Sequence, residues 1–565
     1  MLTSSKIRST LLFLLFFSNS FISFAENPVR SKHGMVVTAN DLATEVGVQI
    51  LKKGGNAIDA SVAIGFALAV SYPSTGNIGG GGFMVIHLDD GKNTTIDFRE
   101  TAPLAAHEKM FLDSLGNFIP ALSQDGWTSS GVPGTVAGLI YALEKYGTMK
   151  LKDVIQPAID LAEKGFALSY KNSETSGSSF VELSKIESTK KIFTKDGKKL
   201  EEGDLLIQKD LANTLRLIRD GERVAFYEGE IAKKFVEESR RHGGLFTLND
   251  LKDYRAIERK PIEGTYRGYK IISMPPPSSG GICLIEALNA LENFSFKKEE
   301  WGSSRYIHTL VEVMKRIYAD RAEHMGDADF YPVPVEELIS KSYGRQIKSE
   351  ILETATPSEK ISAIKLSKHR EHEETAHYSV ADQFGNAVAT TYTLNGGYGN
   401  RIVVEGLGFL LNNEMDDFSS KPGVPNQYGL VGSVANSIQP KKRMLSSMTP
   451  TIILKDDKPF MVIGTPGGST IITSVLQTIL NVLDFNMNIY DAIAAPKIHH
   501  QWLPDEIDFE KFSLSDDVQK NLLARGHKLG KEKSLGRMEG IILDHRTNTF
   551  YGATDPRGYG KAEGW

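Results

Sequence analysis

A single cysteine, Cys283, in 565 residues excludes an intrachain disulfide framework and any thiolate metal cluster. An excess of one charge is lacking as well. The 65 basic and 70 acidic side chains leave a net charge of −5 with no long run of either sign, so no polyanion-binding surface and no nucleic-acid partner are expected. Beyond the N-terminus no stretch stays apolar over the ~20 residues that a membrane span requires. Familiar catalytic signatures are also missing. There is no G-x-S-x-G elbow, and the S-x-x-K match from Ser362 to Lys365 has no S-D-N or K-T-G companion. The glycine run Gly79 to Gly82 leaves a helical pattern rather than a strand and no GK[ST] follows it, so it reads as close backbone packing and not as a phosphate cradle. What remains is 41% hydrophobic and 24% charged, an ordinary globular composition. Its length suggests about three domains but also allows one large mixed unit.

The first 25 residues are of a different texture. Lys6 and Arg8 precede an apolar core from Leu11 to Phe17, and Ser23-Phe24-Ala25 puts small residues at −3 and −1 of a cleavage site after Ala25. This predicts a signal peptide over 1–25 and an exported, soluble mature chain. In that chain Asp41 to Lys53 and Ala57 to Val70 have helical apolar spacing, the first stopping at Gly54-Gly55. Phe83 to Leu88 is strand-like, helical patterns dominate from Val136 to about Arg240, and the turn Pro275 to Gly281 opens another helix.

The sharpest change lies between Leu352 and Asn395. Residues 353–374 are crowded with polar and charged side chains and read as an exposed connector. Directly after it, Thr375 to Asp382 and Ala387 to Asn395 alternate on either side of the turn Gln383-Phe384-Gly385-Asn386, which predicts a β-hairpin. A period of two places Thr375, His377 and Ser379 on one face, with Thr391, Thr393 and Asn395 on one face of the second strand. Such a polar face is unexpected in a sheet buried on both sides, although from pattern alone the preference of threonine for strands is the simpler explanation. His369, His372 and His377 with Glu371, Glu373 and Glu374 contain zinc-ligand chemistry, but a charged connector accounts for them and no metal is expected.

Six separated motifs, in order, carry a resemblance: the doublets Gly54-Gly55 and Gly467-Gly468, FRETAP at 98–103, TAHYSVAD at 375–382, NNEMDDF at 412–418, LSSM at 445–448 and GTPGGS at 464–469. Over nearly the whole mature chain they resemble the gamma-glutamyltransferases, members of the N-terminal nucleophile hydrolases. The resemblance implies an α+β fold, a four-layer αββα sandwich made as an inactive precursor that cuts itself between Glu374 and Thr375. The large piece would then be 26–374 and the small piece 375–565, remaining together as a heterodimer. Residues upstream suit such a cut, because attack by the Thr375 hydroxyl on the preceding carbonyl needs a mobile connector and a rigid strand. The freed α-amine, with an ordinary pKa of about 7.7–8.0, would serve as the base, so no cofactor is called for.

The same resemblance assigns the other roles. Thr393 would hydrogen-bond the nucleophile, and the backbone N–H groups of Gly467 and Gly468 would form the oxyanion hole. Arg99, helped by Ser446 and Ser447, would bind the α-carboxylate of a γ-glutamyl donor, while Asn395, Glu414 and Asp417 would hold its α-ammonium. Position 414 is glutamine in some bacterial relatives, and the glutamate here is typical of the animal enzymes. That leaves open whether Glu414 strengthens the ammonium contact or duplicates Asp417. The loop Lys421 to Gly429 resembles a lid present in some bacterial members, with Tyr428 at the gating position. Glutathione and glutamine are the implied donors, amino acids or dipeptides the acceptors, and the periplasm the implied compartment, with full secretion as the alternative. Two other readings are a same-fold acylase acting on another amide, such as a β-lactam side chain, and a non-catalytic exported amino-acid-binding protein, which would stay a single chain.

Overall fold

A computed structural model of the chain describes residues 27–361 and 375–565. The expected signal peptide, residue Glu374, and the histidines His369 and His372 lie outside the described residues. Among those described, no helix is long and apolar enough to cross a membrane.

Fourteen strands make two seven-stranded sheets. In chain order they are β1 (Val29–Ser31), β2 (Gly34–Thr38), β3 (Gly81–His87), β4 (Asn93–Asp97), β5 (Ile257–Arg259), β6 (Ile262–Tyr266), β7 (Tyr269–Ser273), β8 (Ala376–Asp382), β9 (Ala387–Thr393), β10 (Thr451–Lys455), β11 (Lys458–Gly464), β12 (Glu539–Asp544), β13 (Thr549–Thr554) and β14 (Lys561–Gly564). One sheet runs β14-β2-β8-β9-β3-β4-β5 and the other β1-β13-β12-β11-β10-β7-β6, with every neighbouring pair antiparallel. Each sheet interleaves strands from both sides of the 374–375 boundary, so neither segment completes a sheet without the other.

The predicted hairpin is β8 and β9, and it sits at the centre of its sheet. Alternate side chains divide cleanly between its two faces. Tyr378, Val380, Val388 and Tyr392 pack with Val36, Met84 and Ile86 beneath the helices α1 (Asp41–Lys52), α2 (Ala57–Ser71), α3 (Thr135–Tyr146) and α4 (Leu151–Lys164). On the opposite face Ala381, Ala387 and Ala389 join Val37, Phe83 and Val85 in a second core. That core continues through Ile271, Ile453 and Val462 of the other sheet to the helices α5 (Gly280–Leu291), α6 (Ser304–His324) and α7 (Ile471–Leu483). The order is therefore helices, sheet, sheet, helices, the expected αββα sandwich. Each large apolar side chain fully buried in these layers contributes roughly 1.5–3 kcal/mol relative to exposure.

Local chemistry explains the first elements. Asn40 caps α1 by accepting from the Ala43 N–H, and Gly54, at φ 91°, closes it in a conformation that disfavours a side chain. Asn56 and Asp59 form a reciprocal capping box on α2. All residues of α2 are buried, as an apolar sequence without a polar face requires. The glycine run behaves as expected: a Cβ on Gly79 would come 2.0 Å from the Leu410 carbonyl oxygen, and one on Gly80 2.1 Å from that of Thr393.

The described part of the connector, 353–361, is mostly exposed as expected, with Ser358 buried, but three buried groups hold the backbone over 352–358. His308 meets the Leu352 carbonyl at 2.8 Å, Glu312 accepts from the Thr356 N–H at 3.1 Å, and Trp502 donates to the Ser358 carbonyl at 2.8 Å. Charge density in the sequence marked solvent exposure, whereas the polar partners are supplied from α6 and from beyond residue 500.

Candidate active site

The polar face of the hairpin lies between the two sheets. Burial pushes His377 down to about 3, so the ring is neutral. Its Nδ1 lies 2.7 Å from Thr391 Oγ1 and its Nε2 3.1 Å from Ser379 Oγ, and the Ser379 hydroxyl donates to the Glu539 carbonyl at 3.1 Å. With that hydroxyl proton committed, Nε2 carries the imidazole proton and Nδ1 accepts from Thr391. Both ring nitrogens are thus occupied, Nδ1 on Thr391 of β9 in the same sheet and Nε2 on Ser379, whose hydroxyl carries the link to β12 of the other sheet, and neither is left for a metal. The middle of the polar face is structural, and only its end opens into a site.

At that end Thr375, immediately before β8, and Thr393, the last residue of β9, line one pocket. Asn77 holds this end by donating from Nδ2 to the Thr393 carbonyl at 2.9 Å, and the Asn395 N–H donates to Thr393 Oγ1 at 2.8 Å. Asn395 takes φ 74°, a left-handed conformation that asparagine tolerates better than most residues. Gly468 joins the pocket wall from the turn after β11, with Gly467 next to it. Gly467 and Gly468 have φ 137° and 51°, and a Cβ at 468 would stand 2.6 Å from the Tyr428 ring. Both torsion and space demand glycine there.

Charge is concentrated at the other end. Arg99 is fully buried and ion-paired to Glu414 and to Asp417, the latter at 2.5 Å. Its Nε donates to the Met444 carbonyl at 3.2 Å, one residue before the stretch containing Ser446 and Ser447. Burial opposes the charge of Arg99, yet Glu414, Asp417 and Glu100 together raise its pKa above the ordinary value. Burial likewise pushes the carboxyls of Glu414 and Asp417 up, opposed by Arg99, and takes Glu100 to about 8. Glu414 Oε2 and both Glu100 oxygens have no hydrogen-bond partner. The three residues assigned to opposite ends of a zwitterion are therefore paired with one another. A donor's ammonium and carboxylate would have to share or exchange these contacts.

Ser446 and Ser447 line the same pocket, fixed by the turn at 275–280. The Ser446 N–H donates to the Pro277 carbonyl at 2.9 Å, and the Ser279 hydroxyl donates to the Ser446 carbonyl at 2.7 Å. The 421–429 loop closes over the charged end. Its Asn426 donates to Asp417 at 3.1 Å, and the Gln427 N–H donates to Asp416 at 2.9 Å. Tyr428, buried, donates from its hydroxyl to the Asn395 carbonyl at 2.7 Å.

Sequence reasoning missed two groups. Glu100 sits inside the FRETAP motif with no role that the resemblance implies, and Arg321 lines the pocket from α6. The segment around Arg321, MKRIYADRAEH, looks like any charged amphipathic helix, so nothing local singles it out. Among the described residues His308, Glu312 and His527 bring metal-ligating atoms together. Glu312 is already paired with Lys315 at 3.3 Å and Arg316 at 2.9 Å, so the group reads as a satisfied ion network rather than a metal centre.

The family model described as Gamma-glutamyltranspeptidase matches residues 43–565. The glutathione hydrolase proenzyme of Escherichia coli (strain K12) is 49% identical over 535 residues, covering 94% of this chain and 91% of that one. Among solved structures, cephalosporin acylase from Bacillus halodurans matches with a TM-score of 0.84 at 27% identity, over 98% of this chain and 99% of its own. A chain of Helicobacter pylori gamma-glutamyltranspeptidase matches with a TM-score of 0.58 at 50% identity, over 59% of this chain and 96% of its own.

Proposed function

The chain belongs to the gamma-glutamyltranspeptidase family and is an enzyme of the gamma-glutamyltransferase and glutathione hydrolase class, and on that premise we propose that Thr375 is its nucleophile. In this reading the precursor cuts itself between Glu374 and Thr375, giving 26–374 and 375–565 after removal of 1–25 on export to the periplasm. The new α-amine of Thr375 accepts the proton of its own hydroxyl. Oγ1 then attacks the γ-carbonyl of glutathione, glutamine or a related donor. The tetrahedral oxyanion is met by the N–H groups of Gly467 and Gly468, the amine leaves with a proton, and a γ-glutamyl ester stays on Thr375. Water resolves the ester in hydrolysis, and an amino acid or dipeptide resolves it in transfer.

The observation that carries this reading is the composition of a single pocket. It has Thr375 and Thr393 at one end and Arg99, Glu414 and Asp417 at the other, with the unpartnered Oε2 of Glu414 available to an ammonium. Such a charge pattern suits a free amino-acid head and disfavours donors without one. The likeness to a cephalosporin acylase supports a second reading, an acylase acting on a different side-chain amide. The deciding test is intact-mass analysis of the purified protein with a γ-glutamyl anilide assay, with and without glycylglycine. We expect two pieces, anilide cleavage and acceleration by the dipeptide. A single uncleaved chain that binds glutamate would overturn the enzyme mechanism. Two pieces that cleave a glutaryl anilide as well as the γ-glutamyl one would favour the acylase.

A further inference from the structure

Arg321 projects from α6 into the donor pocket and is buried, yet its surroundings differ from those of Arg99. Its Nε donates to Ser279 Oγ at 3.0 Å and its Nη2 to Ser447 Oγ at 3.1 Å. Among the described residues no carboxylate lies within ion-pair distance of it. An arginine stays protonated under all ordinary conditions, and a buried charge satisfied only by hydroxyls is costly unless an anion meets it.

The charges of the pocket point to which anion that is. Arg99 is already faced by Glu414, Asp417 and, at 3.9 Å, Glu100, so that corner is not positive overall. A donor carboxylate entering beside Arg99 would meet those acids, whereas an ammonium would be welcomed by them. The surplus positive charge lies on Arg321, next to the Ser446 and Ser447 hydroxyls. Arg99 and Arg321 thus set two cations against the carboxyls of Glu414 and Asp417, a pattern with a place for each charge of a zwitterion.

We infer that Arg321, held by Ser279 and Ser447, is the second cation of the α-carboxylate subsite and sets the preference for γ-linked donors that keep a free α-carboxylate. The inference rests on the γ-glutamyl reading above. In it Arg99 links the acids that take the ammonium to the carboxylate, while Arg321 supplies the charge that the carboxylate neutralises. Nη2 then either shares Ser447 with the carboxylate or passes from one to the other, which a planar guanidinium with five N–H groups permits.

The test compares a γ-glutamyl anilide with its α-carboxamide analogue on the processed wild-type enzyme, Arg321→Gln and Arg321→Lys. Loss of a charge-assisted contact is worth about 10- to 100-fold in affinity. For Arg321→Gln we expect KM for the carboxylate donor to rise by that factor, kcat to change by less than about threefold, and the carboxamide donor to be almost unaffected. Arg321→Lys, which keeps a point charge but loses the fork, should retain part of the preference, falling about three- to tenfold. An unchanged carboxylate-over-carboxamide ratio in processed Arg321→Gln overturns the inference, as does equal loss on both donors. Should Arg321→Gln not process, an unchanged ratio in Arg321→Lys overturns it. A wild-type enzyme inactive on the γ-glutamyl anilide would instead sink the functional reading itself, so the two failures are told apart.

Discussion

The two ends of the pocket are built from different materials. Around Thr375 there are hydroxyls, backbone groups and glycines on strand ends, held by the register of β8 against β2 and β9. Around Arg99 there are charges on loops, held by one another. The first end is fixed by topology: a shift of one residue in β8 would turn Thr375 away from the space between the sheets. The second is fixed by charge balance, its members being ion-paired to one another. On the proposed mechanism, chemistry would therefore sit where the fold is least adjustable, and recognition where it can be graded.

Mutations should expose that contrast in order of severity. Thr375→Ala should leave one chain of near-full length and remove activity by a factor of at least about 10⁴, whereas Thr375→Ser should cut itself and retain part of the rate; gel analysis with the anilide assay reads both. At the charged end Arg99→Gln should lower kcat/KM by about 10²- to 10³-fold and also lower the melting temperature. Removing the guanidinium leaves Glu414 and Asp417 buried without their partner, which costs about 3–5 kcal/mol if both stay ionised and less as they take up protons.

Gly468→Ala tests the topological end more gently. The new Cβ would press on the Tyr428 ring, and we expect a loss of about 10- to 100-fold in kcat. If the ring is the obstacle, Gly468→Ala combined with Tyr428→Ala should recover part of that loss, so a double-mutant cycle on kcat should be non-additive. Tyr428→Phe removes the hydroxyl that donates to the Asn395 carbonyl, a bond worth net about 0.5–1.5 kcal/mol, and should change donor KM by less than about tenfold.

The smallest effect expected is thermodynamic. Glu100, facing Arg99, Asp417 and Asp97, is pushed up to about 8 by burial. Between its ordinary value of 4.5 and 8 the folded chain holds a proton that the unfolded chain has released, so this group's stabilisation is present at low pH and lost as pH rises through about 8. Melting temperatures at pH 6 and pH 8.5 should therefore differ less in Glu100→Gln than in wild type. An equal difference would mean that Glu100 is ionised throughout.

Much of the Thr375 end was legible because its information is local. The hairpin showed in its alternation and the glycines at 79–82 as close backbone packing, whereas those at 467–468 stood out only through the family resemblance. Pattern alone could not tell which polar residues on the shared face would be structural. His377 and Thr391 bond within one sheet and Ser379 carries the link to the other, which depends on Glu539, 160 residues further along the chain. The charged end was legible only through the motifs that carried the family resemblance. Its mutual pairing, the placement of Arg321 in the pocket and the anchoring of 352–358 are tertiary facts, set by partners that no window of sequence contains. Interleaved strands add a further consequence: with Cys283 the lone thiol, the two pieces should separate in denaturant and not in reductant alone.

The central claim is that Thr375 Oγ1 becomes the acyl carrier. Rapid acid quench of the processed enzyme turning over a γ-glutamyl anilide, followed by intact-mass and fragment analysis, tests it most directly. The account predicts a 375–565 piece heavier by one γ-glutamyl group, with the added mass on Thr375, and none on 26–374. An adduct on any other residue, or full turnover with Thr375 never modified under conditions where the ester should accumulate, would contradict it.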